Sequence, residues 1–410
     1  MRKSAEDGLV SGWNRYELGQ ITKRVTRRNH TRNQNALTIS AKYGLVSQEE
    51  FFQRRVASSD TASYFLLERG DFAYNKSYSE GYPAGVIRRL EKYDTGIVSP
   101  LYICFRPDVT IVDPNFLAHY FNSGLLNEEI LWIAKEGVRN HGLLNVKVGD
   151  FFSLPITLPP LAEQGRIAEI IDTLDSQIEV LEAKISKIET LSKSTIYRML
   201  RETSQEAEFS TMGFICHRVT VGIVVQPARL YADKGIPVLR SKNIREYGID
   251  LDDVVYMPPT THAANHKTAV IPGDIVTVRT GVPGVSAVIP DDLPTANCVD
   301  IIISRPRCDI DPEYLCSWIN SDLGRGQVLR AQGGLAQQHF NVSEMLRLNV
   351  AVPHISEQKK IAEVARSFDL LLKNHKSHRE KMEHIKEALM EDLLTGRVRV
   401  SDAETVLENL

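Results

Sequence analysis

The sequence predicts a mixed α/β (α+β) fold built twice, as globule, long helix, globule, long helix. An internal pseudo-twofold repeat relates the halves, and the two helices pair as an antiparallel coiled coil. Three observations predict this. Pro159-Pro160-Leu161-Ala162-Glu163-Gln164 returns as Pro353-His354-Ile355-Ser356-Glu357-Gln358, at an offset of 194 residues. Each copy opens a long run with heptad spacing. Before each copy, short β-like runs and turn signals follow one order. The resulting domains are 1–158, 159–203, 204–352 and 353–400, with an acidic C-terminal tail at 401–410.

In the first globule, Ala36–Ser40 and Gly96–Phe105 read as strands, punctuated by Gly70-Asp71, Gly81-Tyr82-Pro83 and Arg106-Pro107. Asp113-Pro114 starts a helix through Phe116, Leu117, Tyr120 and Phe121, with Asp as N-cap and Pro in the first turn. The second globule repeats these anchors as Gly273-Asp274, Arg305-Pro306 and Asp311-Pro312. Between anchors the globules diverge, so one frame carries two surfaces.

The first helix has an apolar seam at Ile167, Ile171, Leu174, Ile178, Leu181, Ile185 and Ile188. The equivalent seam of the second runs through Ile361, Ala365, Phe368, Leu372, His375, Arg379, Met382, Ile385 and Leu389, polar at its middle. At about 40 residues each helix spans about 60 Å. His375 and Arg379 are either register devices or side chains exposed where the seam opens, with exposure favoured.

Composition is that of an ordinary globular protein: 410 residues, 42% apolar and 25% charged, with a net charge of −3. No run of about 18 apolar residues predicts a membrane span, and Met1–Gly8 lacks the core of a signal peptide. The five cysteines form no CxxC pair and fit reduced cytoplasmic thiols. No phosphate loop, HExxH or zinc-spaced cluster is present, so neither catalytic nor metal residues are expected. Asp113-Pro114-Asn115-Phe116 and Asp311-Pro312-Glu313-Tyr314 resemble a methyltransferase motif but lack its second proline, and capping explains them.

Recognition is expected of nucleic acid. Lys23, Arg24, Arg27, Arg28 and Arg32 sit in an acid-free stretch, which suits phosphate contacts. Segments rich in Arg, His and amides precede each helix; Arg139, Asn140 and His141 are the candidates in one, Gln337, Gln338 and His339 in the other. Arg reads guanine, and Asn or Gln reads adenine. Lys42, Tyr43, Asn75 and Lys76 in the first globule, and Arg240, Lys242, Asn243, Arg279 and Thr280 in the second, follow strands at repeat-related places.

Leu158–Gln164 leading into Ile167-Ala168-Glu169, and Val352–Gln358, resemble the conserved helical regions of specificity (S) subunits of type I restriction-modification enzymes. Leu389–Val400 is similar to that family's C-terminal ending, and Gly235–Ile244 to the opening of its target recognition domains. Gly165, His354 and Ile355 depart from the family pattern, and Lys42-Tyr43-Gly44 matches the domain opening more weakly. The resemblance implies two target recognition domains, each reading half of a bipartite double-stranded DNA target, with the paired helices fixing the spacer. It implies two methyltransferase (M) and two restriction (R) subunits as partners. S-adenosylmethionine, ATP and Mg would be used by those partners, with no cofactor bound by this chain. The alternatives are a self-sufficient DNA methyltransferase or nuclease with an unrecognised site, or a coiled-coil interaction scaffold.

Overall fold

The computed structural model describes residues 11–41, 43–53, 61–78, 81–134, 143–224, 227–246, 248–331 and 339–401. The chain divides into two compact units, residues 1–179 with 380–410, and residues 180–379. Each unit therefore holds one globule and a half of each long helix, rather than a globule alone.

In the first unit, strand Asn14–Glu17 pairs antiparallel with Pro155–Leu158, which joins the globule's two ends where the first long helix begins. An antiparallel sheet follows in the order Thr22–Arg24, Ile103–Pro107, Phe72–Asn75, Val86–Arg89. Its buried face is aromatic: Phe72 stacks on Phe105 at 5.5 Å between ring centroids, and Tyr74 on Phe151 at 5.0 Å. The expected strand Gly96–Phe105 is in fact two, Thr95–Val98 and Ile103–Pro107, in different sheets. Pro100 has no N–H for a ladder, and Ser99–Tyr102 closes a turn there, with Tyr102 N donating to Ser99 O at 3.1 Å.

The second unit has the same frame. Glu208–Thr211 pairs with Asn349–Val352, and a four-stranded antiparallel sheet runs Cys216–Val221, Ile301–Pro306, Ile275–Val278, Ser286–Val288. Around this frame the units differ. The first adds the hairpin Leu37–Ser40 with Gly44–Ser47 and the pair Phe65–Glu68 with Thr95–Val98. The second adds a mixed sheet in which Ile236–Leu239 runs parallel to Ala296–Cys298.

The long helices span Leu161–Ser204 and Ile355–Thr395. Within the first unit Lys386 meets Asp175 at 2.5 Å, and Arg399, just past the second helix, meets Glu163 at 3.0 Å. Within the second unit Lys376 meets Glu189 at 2.8 Å, while Ile196 and Leu200 share a core with Ile361 and Ala365. In both units the pairing is antiparallel. Ile167, Ile171, Leu174 and Met382 are buried in the first unit, as are Leu181, Ile185, Ile361 and Ala365 in the second. Ile178 and Ile385 in the first unit are half-buried, and so are Ile188, Phe368 and Leu372 in the second. Each fully buried aliphatic side chain contributes about 1.5–3 kcal/mol. His375 and Arg379 are half-buried, against the exposure favoured from sequence.

Candidate nucleic-acid interface

The repeated anchors turn out to be structural. Asp71 and Asp274 have fully buried side chains. Asp71 accepts from Glu68 N at 2.9 Å, from Arg106 Nε at 2.6 Å and from Arg27. Asp274 accepts from Ile271 N at 2.9 Å and takes Arg305 bidentately at 2.7 and 2.8 Å. The Gly-Asp and Arg-Pro anchors are thus two ends of one ion pair, a buried carboxylate held by a part-exposed arginine, present once per unit. Asp113 and Asp311 cap their helices, accepting from Asn115 N and Phe116 N, and from Glu313 N and Tyr314 N. Gln164 then accepts from Asp113 N at 2.8 Å and donates to Pro159 O and Ile111 O. Gln358 repeats this with Asp311 N, Pro353 O and Asp309 O. The Gln of the repeated phrase stitches each globule to the helix that follows it.

These bonds re-sort the nucleic-acid candidates. Lys23 and Arg24 stand exposed on an edge strand; the Lys23 side chain is 84% exposed and 3.6 Å from Asp108. With Thr26, Arg27 and Arg106 they line a cavity of about 340 Å³. Arg28 is exposed, donates to Ser63 O, and lies 4.9 Å over the Phe65 ring. Arg27 is instead committed to Asp71 and to Glu68 at 3.3 Å. Arg279 is likewise committed: it donates to Asp300 at 2.6 Å, Asn341 at 3.0 Å and Phe340 O at 3.2 Å. Asn243 is buried, with Oδ1 accepting from Arg240 N at 3.0 Å and Nδ2 donating to Asp250 O at 3.0 Å. A buried polar group already satisfied internally has nothing left for a base edge. Arg279 and Asn243 are therefore held by the frame, whereas Arg27, its side chain 38% exposed, pairs with Asp71 and Glu68 and still lines the cavity.

Arg240 is mostly covered and donates to Asp253 O at 2.7 Å, and Lys242 is exposed and pairs with the Asp253 carboxylate. Tyr43 is exposed. Asn75 accepts from Ser77 N at 3.1 Å, Lys76 and Thr280 are half-buried, and His339 is exposed. Lys42, Arg139, Asn140, His141, Gln337 and Gln338 lie outside the described residues. Four of the five cysteines are buried, and burial pushes the Cys104 and Cys216 thiols up to about 12.

A family model described as the type I restriction modification DNA specificity domain matches residues 11–190. Up to residue 190, then, the chain is similar to a type I DNA specificity domain. It is 24% identical over 326 residues to the type I restriction enzyme MjaVIII specificity subunit of Methanocaldococcus jannaschii, covering 75% of each chain. It is 23% identical to that organism's putative MjaX specificity subunit, covering 96% of this chain and 91% of the relative. Its fold matches the type I S subunit of M. genitalium, with a TM-score of 0.59 at 15% identity, covering 95% of this chain and 98% of the other.

Two of the candidates lie at corresponding places in the two units, Lys76 just past strand Phe72–Asn75 and Arg279 just past strand Ile275–Val278. Leu144 N donates to Lys76 O at 2.9 Å, and Phe340 N donates to Arg279 O at 3.0 Å. The chain that leads to the last strand of each globule is thereby tied to the end of a central sheet strand. The signal for the Asp–Arg ion pairs was in the sequence, since Gly-Asp and Arg-Pro recur together, but each anchor looked like an isolated turn.

Proposed function

We propose that each globule acts as a target recognition domain for one half of a bipartite double-stranded DNA site, that the paired helices fix the spacer, and that the chain is non-catalytic. The carrying observation is the sheet frame that recurs strand for strand while the added strands differ. A duplicated frame with unlike additions suits a target with two unlike halves. Two M subunits would dock on the helices and supply S-adenosylmethionine-dependent methylation; two R subunits would join with ATP and Mg. A net charge of −3 fits a chain whose partners supply part of the phosphate contact. Among the described residues no helix is long and apolar enough to cross a membrane, in keeping with work on cytoplasmic DNA.

Labelled S-adenosylmethionine and DNA, offered to the chain with and without M subunits, test this reading. Methyl transfer is expected only with M; transfer by the chain alone would establish the enzyme alternative. Footprinting of the S–M complex should give two protected clusters with a gap. One continuous, sequence-indifferent footprint would favour an interaction scaffold. Insertion of one helical turn into each long helix should lengthen the tolerated spacer.

A further inference from the structure

One turn outside the sites already described is built the same way in both units. Gly81-Tyr82-Pro83 lies between strands Phe72–Asn75 and Val86–Arg89, and Gly281-Val282-Pro283 lies between Ile275–Val278 and Ser286–Val288. Both glycines are left-handed, at φ +81° and +85°. Both turns close through the residue before proline: Gly85 N donates to Tyr82 O at 3.2 Å, and Val285 N donates to Val282 O at 3.3 Å. Proline takes the second position of each turn, where its fixed φ fits. It also restricts the preceding residue to extended backbone. Tyr82 and Val282 are therefore held out on a stiff support, 39% and 65% exposed.

The supports are anchored at their bases. The Tyr74 hydroxyl donates to Ala84 O at 2.8 Å, and a Cβ on Gly85 would fall 2.4 Å from Asn75 O. Gly284, at φ +90°, packs on Val328. Closure of the hairpin does not demand this turn, because the connections differ in length, 76–85 against 279–285, and a two-residue loop would suffice. The turn persists while the residue on it changes from aromatic to aliphatic. A partner protein docking identically on both halves would meet the same residue twice. A contact that must differ between two half-sites would meet a different residue on a constant support.

We infer that Tyr82 and Val282 are base-contacting residues, each touching a base pair of its own half-site through apolar contact, with thymine methyl groups or an opened base step as the fitting surface. The Lys76 and Arg279 carbonyls, which receive Leu144 N and Phe340 N, mark the same strand ends, and exposed His339 adjoins the second. This rests on the DNA-reading role proposed above.

The test uses the S–M complex, with the target first obtained from methylome sequencing of a host carrying it. Wild-type, Tyr82→Ala, Val282→Ala and Tyr82→Phe complexes are titrated with duplexes bearing single substitutions in each half, and their methylomes are compared. Each alanine variant should bind about tenfold more weakly, with preference relaxed in one half only, a different half for each. Tyr82→Phe should stay close to wild type in binding and melting, and Val282→Ala should melt as wild type does, since Val282 is 65% exposed. Failure of wild type to bind the bipartite duplex would sink the DNA-reading role itself. Wild-type binding with both alanine variants unchanged, or with both halves weakened equally, would overturn the assignment of these two residues.

Discussion

Gln164→Ala tests the reading of the repeated phrase as a stitch. The Gln164 side chain is 1% exposed and makes three hydrogen bonds: Asp113 N at 2.8 Å, Pro159 O at 2.9 Å and Ile111 O at 3.1 Å. At about 1 kcal/mol net for each bond, the variant should lose about 3 kcal/mol. In a unit of about 200 residues this lowers the melting midpoint by about 6–12 °C. Calorimetry of the full chain reads it directly. The loss should fall on the transition of the first unit, and Gln358→Ala should produce the mirror result in the second. Gln164→Glu keeps the acceptor for Asp113 N but sets a carboxylate against two carbonyls, so it should be no better than alanine. A loss below about 1 kcal/mol, or equal losses in both units from either single change, would refute the stitch.

Removal of the Asp274 carboxylate by Asp274→Ala leaves Arg305 without the partner it grips at 2.7 and 2.8 Å; because the Arg305 side chain is 31% exposed and water can take it up, denaturant melts should show a loss of about 1.5–3 kcal/mol. Lys23→Ala and Arg24→Ala should change stability by less than about 0.5 kcal/mol. Each should instead lower the salt dependence of DNA binding by the S–M complex by about one unit of slope; an unchanged slope would remove them from the phosphate contacts. Burial pushes the Glu313 carboxyl up, against the pull of Arg366, with Asp311 and Asp369 adding to the rise. Its contribution to stability is therefore present below the unfolded pKa and lost as pH rises through the native one. Glu313→Gln should gain on wild type as pH rises from the ordinary carboxylate range towards neutrality in paired melts, and an equal pH dependence would contradict that sign.

The heptad seam, the Asp-Pro caps and the doubled order of anchors were legible in the sequence because each is local. A cap needs its next three residues, and a seam needs a period of 3.5. Pro100 could have warned that Gly96–Phe105 was not one strand, but an apolar run of that length reads the same for one strand or two. The nucleic-acid candidates were less legible. Arg27, Asn243 and Arg279 have the residue types of base and phosphate readers, and nothing near Arg27 or Arg279 in sequence shows the bonds they make in the fold. Their partners sit elsewhere in the chain: Asp71 is 44 residues from Arg27, and Asn341 is 62 from Arg279. By itself the sequence determined a duplicated molecule with two helices and two globules. Only the tertiary structure decided which polar side chains are spent on the frame, because an ion pair or hydrogen bond forms wherever folding brings two groups within about 3 Å, whatever their separation along the chain.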